Sequence, residues 1–252
     1  MGRAISKPPK DKNLIYGIHS VVEALHAGKD LEKVFFQKNL KSESARQLLN
    51  ELHESFTPIS KVPVQKLDGL TRKNHQGVVA FLSPIKYFSV ENLVQRLYEN
   101  GRSPFIIALD GITDIRNFGA IARTAECLGA DGIILPNSNS AQVNGDAIKT
   151  SAGALNHLPV CRTASLPEAL SYLKNSGLKV VGCSEKMSKT IGEVSFNDPL
   201  VLVMGSEGAG ISEQVLEVCD EIAKIELLGN VQSLNVSVAA GIFMYEVNRQ
   251  RY

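Results

Sequence analysis

Residues 202–238 read LVMGSEGAGISEQVLEVCDEIAKIELLGNVQSLNVSV. An apolar run, Leu202–Met204, enters a turn that sets three glycines (Gly205, Gly208, Gly210) around one carboxylate, Glu207. A second apolar run leads to a turn carrying Gln232, Ser233 and Asn235, and a stretch long enough for a helix follows. Two strand-to-loop junctions dense in Gly and small polar residues point to a ligand held by backbone groups, because glycine lets the main chain approach closely. The turn fails the common nucleotide patterns. A GxGxxG started at Gly205 puts Glu207 where the second Gly belongs; started at Gly208, it puts Glu213 where the third belongs. Gly205 and Gly210 have the spacing of a Walker loop, but Ile211 stands where its Lys must be. Neither a dinucleotide nor a nucleoside triphosphate is favoured.

Working outward, apolar runs recur at 105–110 (FIIALD), 132–136 (GIILP), 179–183 (KVVGC), 200–205 (LVLVMG) and 222–227 (IAKIEL). Runs without polar alternation suit strands of a parallel sheet covered on both faces. Helical patterns follow Asn117, Asn144, Ser165, Ser212 and Asn235, so the class is α/β. Upstream, 16–25 and 43–55 carry helical periodicity, while 34–36 and 77–82 read as strands. This predicts a small α/β domain over 13–83, a linker over 84–92 marked by Pro84 and lost periodicity, and a larger domain over 93–252.

The chain has 252 residues, 44% of them hydrophobic, enough for a real core. No run approaches the roughly 20 apolar residues of a membrane span. The opening residues, 1–12, lack the apolar core of a secretory signal and read as a disordered basic tail. Cys127, Cys161, Cys183 and Cys219 have no CxxC spacing and read as reduced thiols of a cytoplasmic protein; the five histidines show no metal-ligand spacing, so no metal is expected. Net charge is only +1, yet residues 1–86 hold 14 Lys/Arg against 8 Asp/Glu, and 87–252 hold 13 against 18. A basic first third and an acidic remainder place any grip on RNA in the first part.

Five polar side chains stand out by their local context. Asn117 precedes a helical stretch and reads as its N-cap, with Gly129 at the other end. Arg123 lies among Ala120, Ile121, Ala122 and Ala125, where an unpaired charge is costly; its partner is either a phosphate, two of whose oxygens the guanidinium can clasp, or an internal carboxylate. Glu207 serves either the ligand or the start of the helix after Ser212. Asn235 likewise reads as an N-cap, and Ser233 as turn chemistry. The final helix, VSVAAGIFMYEV, is apolar around most of its circumference, more than one buried face needs; with Ala239, Ala240 and Gly241 permitting close approach, it predicts a homodimer.

Three blocks in order resemble the motifs of the SpoU (TrmH-type) RNA ribose 2′-O-methyltransferases. N-x-G-x-x-x-R-[ST]-A is met by Asn117, Gly119, Arg123, Thr124 and Ala125; G-[SN]-E-x-x-G by Gly205, Ser206, Glu207 and Gly210; S-L-N-V-[SA]-x-A by Ser233, Leu234, Asn235, Val236, Ser237 and Ala239. The match covers roughly residues 104–252. The resemblance implies a knotted (SPOUT-type, trefoil) methyltransferase domain. It implies a bent S-adenosylmethionine (AdoMet) held mostly by backbone groups at Met204, Gly205, Glu207, Gly208, Ile225, Leu227, Ser233 and Leu234. It implies a catalytic set of Arg123, Asn117, Glu207, Ser233 and Asn235, with Arg123 acting on the substrate hydroxyl, and both active sites near a dimer interface. One departure is Ile225-Glu226 where the family usually has Ile-Pro, which frees a φ angle beside the adenine pocket. Residues 16–25 and 74–78 resemble the substrate-binding domain of one branch, similar to a small RNA-binding ribosomal-protein fold, with His75 and Gln76 as RNA contacts. That two-domain form implies a guanosine of 23S ribosomal RNA as target. A tRNA ribose methyltransferase or a resistance-type rRNA enzyme is the alternative. An idle RNA-binding factor is disfavoured by the intact polar set, and a dehydrogenase by the missing GxGxxG.

Overall fold

The computed structural model describes residues 13–55, 57–185 and 189–252; the expected basic tail, 1–12, lies outside them. The chain forms two compact units that meet in sequence between Pro84 and Ile85.

In the first unit, strands β1 (Leu14–Tyr16), β2 (Leu31–Gln37), β3 (Ile59–Val62) and β4 (Val78–Leu82) make one sheet in the order β1-β4-β2-β3. β4 is antiparallel to β1 and β2, and β3 is parallel to β2. Helices α1 (Ile18–His26), α2 (Glu43–Glu54) and α3 (Val64–Leu70) connect them. Alternation decides what is buried: Val34 and Phe36 of β2 and Val78 and Ala80 of β4 meet Val21, Leu48 and Leu52 of α1 and α2 in a core of their own. Ser42 caps α2, its hydroxyl accepting from the Ala45 N–H.

The second unit is a seven-stranded sheet, every pairing parallel. Its strands are β5 (Tyr87–Phe88), β6 (Phe105–Asp110), β7 (Gly132–Pro136), β8 (Val160–Thr163), β9 (Lys179–Cys183), β10 (Leu200–Gly205) and β11 (Glu221–Ala223), in the order β11-β9-β10-β6-β7-β8-β5. Helices α4 (Val90–Glu99), α5 (Ile115–Cys127), α6 (Gly145–Thr150), α7 (Leu166–Asn175), α8 (Glu213–Leu216) and α9 (Val236–Arg251) complete it. The unbroken apolar runs have the expected cause. Ile107, Leu202 and Met204 face one core with α5 and α9, while Ile106, Val201 and Val203 face another with α4 and α7. No helix among the described residues is long and apolar enough to cross a membrane.

Two expectations are corrected here. The stretch 84–92 is not a bare linker: Tyr87–Phe88 pairs with Val160–Cys161 as the edge strand, and Ser89 caps α4 through the Asn92 N–H. The strand expected over 222–227 stops at Ala223; beyond it only Lys224 makes an isolated bridge, to Thr190.

Candidate active site

In an open parallel sheet, ligands settle at the carboxyl ends of strands where neighbouring connections diverge. That place here lies between β6 and β10. They are hydrogen-bonded neighbours, yet the chain runs from β6 to β7 on one side and from β10 to β11 on the other. Their last residues, Asp110 and Gly205, are register partners. After Gly205 the backbone folds into a closed turn: Ser206 N–H donates to the Gly210 carbonyl at 3.0 Å, and Gly210 N–H returns a bond to the Ser206 carbonyl at 2.9 Å. Gly208 (φ 93°) and Gly210 (φ 73°) take left-handed angles that a side chain resists. Gly205 is required for a different reason: a Cβ there would lie 2.2 Å from the Gly210 carbonyl carbon. Asp110 braces the far side, its carboxylate accepting the Ser212 N–H at 2.7 Å. The turn leaves Glu207 exposed at its tip.

There the three sequence blocks meet. Glu207 Oε1 accepts from Asn117 Nδ2 at 3.0 Å and from Asn235 Nδ2 at 2.6 Å, and Asn235 Nδ2 also reaches Asn117 Oδ1 at 3.0 Å. Asn117 is therefore not the N-cap expected from its position. Asp114 caps α5, taking the Arg116 and Asn117 N–H groups, and those backbone bonds, the Asn117 one foremost, hold its carboxyl below the usual range. With that task filled by Asp114, the Asn117 amide is free to bind Glu207. Asn235 does both jobs, capping α9 through the Ser237 N–H with its oxygen while its nitrogen serves Glu207. Gly241 of α9 faces Thr124 of α5, and the helices that carry the two asparagines are packed together.

Beside this triangle, the ends of β9, β10 and β11 and the start of α9 enclose a cleft. Of the residues expected to hold the cofactor, Met204, Ile225, Leu227, Ser233 and Leu234 line it; Gly205, Glu207 and Gly208 do not. Cys183, Ser184, Glu185, Lys224, Ala239 and Phe243 complete the lining and were not read from the sequence. The signal for the first three was available, since they end the strand beside β10. Burial pushes the Cys183 thiol well up, so it serves as a neutral, apolar wall. From Ile225 to Leu234 no backbone N–H or carbonyl finds a protein partner among the described residues. Most of this stretch is exposed to water, and Ile225, Leu227, Ser233 and Leu234 alone of it line the cleft; an apolar cleft with polar groups at its rim fits a ligand that, like AdoMet, joins a flat base to an amino-acid tail. Glu226, at the position usually held by Pro, points no bulk into this lining and is exposed.

Arg123 is exposed on α5 and has no hydrogen-bond or ion-pair partner among the described residues. Ile121, Ala122 and Ala125 are buried on other faces of the helix, half-buried Ala120, one turn before, shares its side, and the guanidinium is open to an incoming anion. Ser233 lies on the cleft wall and is exposed as well. The two residues of the first unit differ from expectation. His75 is 8% exposed, with Nε2 against Asp68 at 3.0 Å and Nδ1 accepting the Gly77 N–H at 3.0 Å, so both ring nitrogens are spent on the loop and none is left for RNA. Gln76 is exposed, but its oxygen accepts the Ile18 N–H that opens α1. Among the described residues no three His, Cys, Asp or Glu side chains converge on a metal-sized site.

Comparison with known proteins agrees with this geometry. The model of the SpoU rRNA Methylase family matches residues 104–245, the span that holds the whole triangle and the cleft. The chain belongs to the SpoU methylase family. A second model, for RNA 2′-O ribose methyltransferase substrate binding, matches residues 14–88. A Bacillus subtilis protein assigned to the TrmH family of tRNA/rRNA methyltransferases is 36% identical over 237 residues, 94% of this chain and 95% of its own. Among solved structures, the SpoU methyltransferase AviRb from Streptomyces viridochromogenes, in complex with AdoMet, superposes with a TM-score of 0.60 at 26% identity, covering 94% of this chain and 90% of AviRb. The TrmH/SpoU tRNA-modifying enzyme of A. aeolicus gives a TM-score of 0.55 at 31% identity over 64% of this chain and 84% of its own. This SpoU methylase thus carries the family's catalytic unit and its RNA substrate-binding unit in one chain.

Proposed function

We propose that this SpoU methylase transfers the methyl group of AdoMet to a ribose 2′-hydroxyl, and that its target is a guanosine of 23S ribosomal RNA. The observation that carries the reading is the Asn117–Glu207–Asn235 triangle, which ties all three motif blocks beside an apolar cleft. Bound AdoMet supplies an electrophilic methyl group. The rest falls to side chains of this chain. Met204, Ile225, Leu227 and Leu234 hold the apolar parts of the donor and exclude water. Glu207 fixes the turn that floors the site. Arg123, open and unpaired, holds the RNA phosphate and stabilises the oxyanion that develops as the hydroxyl is consumed. A guanidinium is a poor base, so the hydroxyl proton goes to a phosphate oxygen of the RNA or to water. Ser233 stands at the cleft wall, near the reacting hydroxyl.

The same reading takes the first unit as the RNA grip, a trefoil-threaded C-terminal segment, a cytoplasmic site of action and a homodimer. Val238, Ile242 and Tyr245, at alternating spacings of four and three on α9, are 52%, 37% and 63% exposed, an apolar stripe left uncovered by the described residues. The test is methylation by purified protein with labelled AdoMet, offering 23S rRNA, 16S rRNA and bulk tRNA separately. Label confined to 23S rRNA at a guanosine supports the assignment; label in tRNA alone replaces it with the tRNA reading. Light scattering at the 27.3 kDa monomer mass would remove the dimer.

A further inference from the structure

The first unit has two sheet faces, and its core uses one. Ile15, Val34, Phe36, Val78 and Ala80 point to the core under α1 and α2. Their alternate neighbours point the other way and are register partners: Leu14, Phe81 and Lys33 form one row across β1, β4 and β2, and Tyr16, Val79 and Phe35 form the next. α3 covers part of this second face, where Leu67 and Val79 are fully buried. The remaining side chains, Leu14, Tyr16, Lys33, Phe35 and Phe81, are half-buried and belong to no core cluster. Three of them are aromatic. Phe35 and Phe81 meet edge to face with centroids 6.1 Å apart. Two cations lie over the rings: Lys33 Nζ is 5.2 Å from the Phe35 centroid, and Lys73 Nζ 5.5 Å from that of Tyr16.

Aromatic rings interleaved with lysines on a sheet face are the chemistry that holds unpaired nucleotides, the rings stacking bases and the ammonium groups taking the phosphates. We propose that this face binds a single-stranded segment of the RNA substrate, with bases stacked on Tyr16, Phe35 and Phe81 and the backbone held by Lys33 and Lys73. The proposal rests on the reading that the first unit grips RNA and names how. An exposed cation–π contact is weaker than a stacked base, so an arriving base displaces the ammonium from the ring and turns it towards the strand. The surplus of positive charge in residues 1–86 complements the strand. Bases paired in a duplex hide their faces, so the surface selects unpaired RNA. His75 supports the arrangement from behind, shaping the loop that carries Lys73.

The test uses the full chain, a 12-nucleotide unstructured RNA carrying one 2-aminopurine, and the blunt duplex of the same sequence. We expect the single strand to bind with a change in 2-aminopurine fluorescence. Phe35→Leu and Phe81→Leu should each weaken it about fivefold or more, while duplex affinity and the thermal midpoint stay unchanged and Phe35→Tyr binds normally. A control replaces three exposed cations elsewhere on the unit, Lys38, Lys41 and Arg46, with Ala. Loss of affinity in the control with none in the leucine variants overturns the stacking face and leaves the RNA-grip reading intact. No loss in either set overturns that reading too. If the leucine variants prove unstable, the unmodified protein still decides: binding without any fluorescence change overturns the proposal.

Discussion

Replacing Glu207 with Ala removes the acceptor shared by Asn117 and Asn235 at 3.0 and 2.6 Å. Buried, two bonds to a carboxylate would be worth about 1.5–3 kcal/mol each. Glu207 and Asn235 are exposed and Asn117 only half-buried, so water takes over most of the lost bonding. The stability cost should be about 1 kcal/mol, a fall in the thermal midpoint of roughly 2–4 °C for a unit of this size. The catalytic cost should be far larger. Nothing else at the tip of the Ser206–Gly210 turn binds it to α5 and α9 among the described residues, and a displacement near 1 Å in a positioned site costs on the order of 10²-fold in rate. Single-turnover transfer of labelled methyl from AdoMet to RNA, run beside calorimetry, separates the two. Glu207→Gln keeps an acceptor oxygen in place and should retain activity within about tenfold. Asn235→Ala should add little to Glu207→Ala, because both break one network. Full activity in Glu207→Ala, or a thermal loss large enough to explain the rate, would refute the reasoning.

Three further expectations follow from the same structure. Arg123→Ala should lower transfer about 10²–10⁴-fold while leaving AdoMet affinity unchanged, since Arg123 does not line the cleft; recovery of Arg123→Lys towards pH 10 would identify Arg123 as the proton acceptor instead. Gly205→Ala drives a methyl group into the Gly210 and Ile211 backbone at 2.2 and 2.3 Å and should cost more than about 3 kcal/mol, seen as a denaturant midpoint shift. Glu221 is bonded to Lys179 first and Lys189 second, which holds its carboxyl below the usual range. Its folded value is depressed, so its stabilising effect is present above about pH 4.5 and fades as pH falls through the folded value. Glu221→Gln should flatten that part of the stability–pH curve by under about 1 kcal/mol, the pair being partly solvated.

The sheet was legible because both faces of the second unit are covered, which leaves continuous apolar runs at β6, β7, β9 and β10. β11 was overread because the apolar side chains of Ile225 and Leu227 serve the cleft rather than a ladder. The edge strand Tyr87–Phe88 was missed because two residues carry no period. Block order identified Asn117, Glu207 and Asn235 as a set, but not their mutual bonds; Asp114, three residues upstream, decides whether Asn117 caps or binds, and either assignment satisfies helix propensity. Of the two partners the sequence left open for Arg123, the internal carboxylate is absent among the described residues, because its side of α5 is exposed while Ile121, Ala122 and Ala125 are buried on others. His75 was misread because its partner Asp68 comes from α3, an element too short to be seen in the pattern.

The central claim is tested most directly by the chemical position of the transferred methyl. RNA methylated with labelled AdoMet is hydrolysed in alkali, a cleavage that requires a free 2′-hydroxyl. The account predicts label in alkali-resistant dinucleotides with a guanosine on the 5′ side. Label released in mononucleotides, as a methylated base would give, would contradict it.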